Sequence, residues 1–369
     1  MTSSTKYRPL ILIVTAFCIA AGILTFFYLR NQSFNSTTNL ISSNKTATTS
    51  NHTPTHQSGT EENLVPKQTV TFGTHTAAIE HGSRTRNYEV HIPTNYQPNT
   101  PSPLVLLLHG GGGTGKRILS QTKMDSKADA SNFIVVAPQG VEKHWNDGLP
   151  NTGKLTDKNN IVATIDDVAF IKTLLDTLQN DYAIDPKRIY VTGISNGGQM
   201  TQRLACELPG VFAAIAPVAS PMREGDSLCG NPEPIPLVAI HGTEDPFFPI
   251  YDDDGLPKMP RLLASRGAEQ TALTTKQLTK FWTTVNQCTG EPNVETWPDT
   301  ANDGTTVEVL SFTDCLGSLA IKYYIVHGAG HGWPPGGDSG DLATRITGDS
   351  SENLITNDVI WDFFLEHTR

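Results

Sequence analysis

One serine in this sequence stands where a nucleophile would have to stand. The run Arg188-Ile-Tyr-Val-Thr-Gly193-Ile194-Ser195-Asn196-Gly197-Gly198 places Ser195 in a G-x-S-x-G turn. An apolar strand-like stretch, residues 189–192, leads into it. A helical stretch with Met200, Leu204 and Leu208 on one face leads out and is stopped by Pro209-Gly210. So tight a reversal from strand to helix crowds the backbone, so the neighbours of the serine must be small. It also lifts the hydroxyl above the sheet edge at the start of the next helix. The bare pattern is weak in a chain with 31 glycines, and its flanking elements give it weight. A structural serine in a glycine-rich turn is the alternative.

A serine hydroxyl needs a base, and the base needs an orienting carboxylate. Downstream, the apolar run 237–240 ends in His241-Gly242-Thr243-Glu244-Asp245-Pro246, and the run 321–326 ends in His327-Gly328-Ala329-Gly330-His331-Gly332-Trp333. Both loops follow strand ends, where open α/β sheets place ligand-binding groups. Asp245, before a proline in the turn, is preferred to Glu244 as the acid. His331, enclosed by glycines, is preferred to His327, which reads as a buried side chain at the strand end. The developing negative charge of acyl transfer needs two backbone N–H donors. Asn196, after the serine, offers one. The loop His109-Gly110-Gly111-Gly112-Gly113-Thr114-Gly115 offers the other, at Gly111 or its neighbour Gly112.

That glycine loop nearly spells a phosphate-binding loop through Lys116, but the next residue is Arg117 where a magnesium-binding hydroxyl is required. His327 and His331 have a metal-ligand spacing that works on a helix, not at a strand end followed by glycines. Asp252-Asp253-Asp254-Gly255 reads as solvated loop. We therefore expect no metal and no cofactor.

The elements that must position these residues are readable as a pattern. Apolar runs at 104–108, 134–137, 189–192, 213–218, 237–240 and 321–326 are short and nearly continuous, as parallel strands buried on both faces are. Ahead of them, residues 69–79 and 86–92 flank a His81-Gly82 turn and read as a hairpin. Between the strands lie helical segments. One starts at a capping box of Thr164 and Asp167 and carries Val168, Ile171, Leu174, Leu175 and Leu178 on one face. The last covers about 358–367. The expectation is one three-layer α/β domain over 68–369, with a mostly parallel sheet and an N-terminal antiparallel hairpin.

Upstream, residues 10–29 (LILIVTAFCIAAGILTFFYL) carry no charge and are long enough to span a bilayer as a helix. Lys6 and Arg8 precede them, which puts the stub 1–9 in the cytoplasm and the rest outside. The bulky end of the run, with no A-x-A site, favours an uncleaved single-pass anchor over a cleaved signal followed by secretion. Residues 30–67, rich in Ser, Thr and Asn, read as a disordered tether. Four cysteines, Cys206, Cys229, Cys288 and Cys315, fall in the exported part, where disulfides persist; the two short-range pairings, Cys206–Cys229 and Cys288–Cys315, are expected. The net charge of −10, without a basic stripe, excludes a nucleic-acid partner. No obligate protein partner is evident.

Four separated motifs agree in order with one family. His109–Gly115, Tyr190-Val-Thr-Gly-Ile-Ser-Asn-Gly-Gly, His241-Gly-Thr-Glu-Asp-Pro and Gly328-Ala-Gly-His-Gly-Trp-Pro-Pro-Gly resemble the secreted polyhydroxybutyrate depolymerases and feruloyl esterases, α/β-hydrolase serine esterases. Trp145-Asn146-Asp147-Gly148 and Asp166-Asp167-Val168 are similar to further segments of that family. The resemblance implies Ser195 as nucleophile, His331 as base and Asp245 as orienting acid, hydrolysing hydroxyalkanoate oligomers or short acyl esters. Feruloyl or acetyl-xylan esters are the runner-up, and a catalytically silent binding protein on the same fold is the alternative of another class. Trp333, and Trp145 in its polar segment, are candidates for the rim of a substrate cleft; a structural place for Trp145 beneath its loop is the alternative.

Overall fold

The computed structural model describes residues 70–148, 161–220, 229–230, 232–248, 275–317, 319–336 and 347–369. By its contacts the chain divides after Val65, and every described residue lies in the unit Pro66–Arg369. The apolar run 10–29 and the tether 30–67 fall outside the described residues. Among the described residues, no helix is long and apolar enough to cross a membrane.

Among the described residues, ten strands form one mixed sheet. In chain order they are β1 (Gly73–His81), β2 (Arg84–Ile92), β3 (Ser102–Leu108), β4 (Ile134–Pro138), β5 (Ile184–Ile194), β6 (Ala214–Val218), β7 (Leu237–Gly242), β8 (Asn293–Trp297), β9 (Thr306–Phe312) and β10 (Ile321–His327). Across the sheet the order is β1-β2-β4-β3-β5-β6-β7-β10-β9-β8. The central pairings, from β4–β3 through β7–β10, are parallel. Both edges are antiparallel: β1–β2–β4 on one side and β10–β9–β8 on the other.

The central strands are buried on both faces, which is why they read as unbroken apolar runs. Leu104, Leu106 and Leu108 of β3 enter one core, with Ile134 and Val136 of β4 beside them; Val105, Leu107, Val135 and Ala137 enter the other. Helices α3 (Asp167–Asp181), α4 (Asn196–Glu207) and α5 (Thr275–Val285) cover the first face through Leu174, Met200 and Trp282. Helices α1 (Gly115–Thr122), α2 (Met124–Ser131) and α6 (Thr356–Leu365) cover the second through Leu119, Met124 and Phe364. Each fully buried Leu-sized side chain contributes about 2 kcal/mol, so the parallel centre is the stable platform on which the site is built.

Three local expectations change. The hairpin turn is Gly82-Ser83, not His81-Gly82: His81 pairs with Arg84, and both turn residues have positive φ, at 56° and 61°. A two-residue loop of this kind matches the twist of its strands. Helix α3 is capped by Asp166, whose side chain accepts the Ala169 N–H at 2.9 Å. Thr164 belongs instead to a short 3-10 turn, Val162–Thr164, and Asp167 lies wholly buried against Arg86 at 2.7 Å. At the far edge the sheet gains β8, whose exposed residues alternate too weakly to read as a strand.

Cys206 is bonded to Cys229, and Cys288 to Cys315. The first bridge ties the C-terminal turn of α4 to the chain ahead of β7. The second links the segment after α5 to the one after β9.

Candidate active site

Strand β5 hands over to α4 at Ser195, whose backbone has φ 58° and ψ −124°. Such a conformation costs a non-glycine residue about 1–3 kcal/mol and persists only where neighbours enforce it. Here the Ser195 N–H is donated to Val218 O on β6 at 3.0 Å, and Ser195 O accepts the Gln199 N–H at 2.9 Å. The turn is also packed too tightly for side chains. A Cβ on Gly197 would lie 2.3 Å from Leu108 O, and one on Gly193 2.7 Å from the Gly197 backbone.

The candidate acid and the candidate base come from two loops stitched side by side. Thr243 N–H is donated to Val326 O, Glu244 N–H to Ala329 O, and Gly328 N–H to the Thr243 hydroxyl. Asp245 is fully buried in the first loop. Its Oδ1 accepts the N–H groups of Phe247 and Phe248 at 2.8 and 2.9 Å. Its Oδ2 lies 2.7 Å from His331 Nδ1 and 3.1 Å from His241 Nε2. Burial opposes ionisation of this carboxyl. The charge of His331 and the hydrogen bonds from His241 and His331 outweigh it and hold the group well below the usual carboxylate range. A carboxylate only accepts, so His331 donates from Nδ1, and Nε2 of the neutral ring is left without a hydrogen. Phe247 and Phe248 flank the imidazole, with ring centres at 5.0 and 5.7 Å.

Ser195 and His331 line one cavity of about 360 Å³ together with the glycine loop 110–113, Arg117 and Trp333. Within that loop the Gly112 N–H is committed to Lys143 O at 2.8 Å and the Gly113 N–H to Gly110 O at 2.9 Å. Those bonds leave Gly111 rather than Gly112 as the loop's candidate donor. Asn196 opens α4, so its N–H belongs to the first turn, where a helix has no internal acceptors. The rival residues stand apart. Glu244 is exposed. His327 is also exposed, contrary to its reading as a buried side chain, and pairs with Glu308 at 3.0 Å.

Trp333 lines the cavity, mostly buried, with its indole N–H donated to Asn357. Trp145 is not at a rim. It is fully buried, and its indole N–H is donated to His109 O at 2.9 Å, so it supports the glycine loop from beneath. Sequence reasoning passed over the partners of His109, Asp147 and Asp167. His109 is buried, with Nδ1 2.8 Å from Gly110 O and Nε2 accepting the Gly140 N–H at 3.0 Å. Asp147 and Asp167 lie in the two short acidic motifs noted above, which were the available signal. Among the described residues no cluster of metal-ligating side chains occurs, and Asp252–Asp254 lie outside them.

Residues 80–331, more than half of the chain, match the model of the Esterase family, described as "Putative esterase". The chain belongs to this family. This esterase is 28% identical over 289 residues to the protein named Putative esterase NocK of Nocardia uniformis subsp. tsuyamanensis, covering 76% of this chain and 80% of that one. It is 26% identical over 286 residues to feruloyl esterase C of Emericella nidulans, covering 76% and 84%. Among solved structures it is similar to the acetyl xylan esterase of Aspergillus awamori, with 16% identity over 74% of this chain and 98% of that one and a TM-score of 0.46. The esterase is a carboxylic ester hydrolase.

Proposed function

We propose that the esterase hydrolyses its substrates through an acyl-enzyme on Ser195, with His331 as the base and Asp245 as its orienting acid. The observation that carries this reading is the 2.7 Å contact between His331 Nδ1 and buried Asp245, in a ring that shares one cavity with Ser195. Ser195 Oγ attacks the ester carbonyl carbon and its proton passes to His331 Nε2. The tetrahedral oxyanion is held by the N–H groups of Gly111 and Asn196. Its collapse expels the alcohol, which takes the proton from His331. Water then repeats the sequence on the acyl-enzyme and frees the acid. Ser195→Ala should abolish both turnover and labelling by a fluorophosphonate while leaving the fold intact; a variant that still turns over at the wild-type rate overturns the reading.

The preferred substrates are short acyl or hydroxyalkanoate esters. The names of the feruloyl esterase relatives favour a second reading, aromatic-acid esters of carbohydrate. Soluble hydroxybutyrate oligomers, polymer film and methyl ferulate separate them: a tenfold advantage for methyl ferulate in kcat/KM, about 1.4 kcal/mol of transition-state binding, would overturn the ranking. Two disulfides support an oxidising compartment, and residues 10–29 would tether the enzyme to the membrane that bounds it.

A further inference from the structure

Beneath the cavity, one short segment touches both backbones that carry the proposed oxyanion donors. The Asn196 side chain is buried and fully engaged there. Its Oδ1 accepts the Trp145 N–H at 2.7 Å, and its Nδ2 donates to Trp145 O at 3.1 Å and to Asp147 Oδ2 at 2.5 Å. The same segment reaches the glycine loop. Trp145 donates its indole N–H to His109 O, and Lys143 O accepts the Gly112 N–H. The segment is itself anchored from behind. Asn146 N–H is donated to Asp167 Oδ2 at 2.8 Å, and Arg203 donates to Asn146 O at 2.6 Å. Asp167 is in turn held by Arg86.

We propose that Asp147 is a positioning residue for the oxyanion hole, acting through the Asn196 side chain; the proposal rests on the Ser195 reading above. Asp147 is 5% exposed, and a buried carboxylate is costly unless it is hydrogen-bonded. A carboxylate only accepts, so it dictates which way the Asn196 amide faces: Nδ2 toward Asp147 and Oδ1 toward the Trp145 N–H. That orientation clamps residue 196 directly after the strained Ser195, where relaxation of the backbone would swing the Asn196 N–H. Because Trp145 also holds His109 O, the clamp fixes the separation between the two donors as well as the direction of one. Asp147 touches neither substrate nor nucleophile.

The test compares an acyl ester with its thionoester on the full chain. Sulfur carrying the developing charge is a weaker hydrogen-bond acceptor than oxygen, so the oxygen-to-sulfur rate ratio reads the oxyanion hole itself. Loss of a whole donor costs about 10²–10³-fold, so a misaimed one should cost about 10- to 100-fold in kcat on the oxygen ester. We expect Asp147→Ala to show that loss with KM within about twofold, and the oxygen-to-sulfur preference to shrink by a matching factor. Asp147→Asn, which retains an acceptor, should recover most of it. If Asp147→Ala does not fold, Asn196→Ala keeps the peptide N–H, removes the clamp and carries the same expectation. Equal slowing of both esters, or no slowing, overturns the positioning role. An active Ser195→Ala would instead overturn the reading beneath it.

Discussion

Acid should destabilise the esterase from within the glycine loop that lines the cavity of Ser195 and His331, and His109 sets the window. Its Nδ1 faces a carbonyl and its Nε2 faces a peptide N–H, so only the neutral ring with hydrogen on Nδ1 satisfies both. Burial, aided by neighbouring His144, pushes the pKa of the ring down to about 4, against the Gly110 carbonyl, which favours the cation. In the unfolded chain the same ring takes its proton near 6.5. Between those values the unfolded state binds a proton that the native state refuses. The stabilising contribution of the neutral ring is therefore complete above about pH 6.5 and is lost progressively as the pH falls toward 4. The gap of about 2.5 pKa units corresponds to roughly 3 kcal/mol, a sizeable fraction of a typical domain's stability. Urea unfolding of the wild type and of His109→Gln between pH 7.5 and 4.5 isolates the effect, because other titrating groups are common to both. Wild type should lose about 2–3 kcal/mol more than the variant over that range. Parallel loss would refute the assignment.

Two further outcomes bear on the proposed acid and base. Asp245→Asn keeps the shape of the side chain but brings an amide group to a point where four donors converge; with its oxygen turned to Phe247 and Phe248, its NH2 faces His331 and forces the imidazole into the wrong tautomer. We expect kcat to fall about 10⁴-fold with KM little changed, and a loss under about tenfold in steady-state assays would count against the role of Asp245. His331→Ala should remove nearly all turnover, whereas His327→Ala, which deletes only an exposed ring paired with Glu308, should leave kcat within about twofold; the reverse result would move the base to His327.

What was legible in the sequence was local. The elbow at Ser195 could be read because its strand, its glycines and its helix are contiguous. The parallel strands could be read because burial on both faces leaves an unbroken apolar run. Helix α2 buries little beyond Met124 and Ala128, so its sequence carries no apolar stripe. The polar neighbours of Trp145 leave its sequence reading open between a cleft rim and a place beneath its loop, and the structure shows the second. The partners of Trp145, His109 and Asn196, lie far away along the chain, and no local pattern announces them. Asp167 looked like part of a cap for the same reason: Arg86, which fixes its place, is on β2.

The choice between the two histidines shows what strand order adds. Strands β5, β6, β7 and β10 are successive parallel neighbours, so the loops carrying Ser195, Asp245 and His331 all leave the same edge of the sheet. Neighbouring strands are about 4.8 Å apart, which puts the end of β10 roughly 14 Å from the end of β5. A histidine at the strand end cannot span that gap with its side chain, and His327 is such a residue. Four more residues of loop, at up to about 3.5 Å each, can. The loop bends back as that requires: a Cβ on Gly242 would lie 2.2 Å from Ala329 O, and His331 N–H is donated to Thr347 O from the opposite side. Gly330, beside His331, thus serves the close approach of two backbones, since a Cβ there would collide with Thr347 O; under the proposed mechanism the base is the histidine beyond the strand because the proposed nucleophile is three strands away.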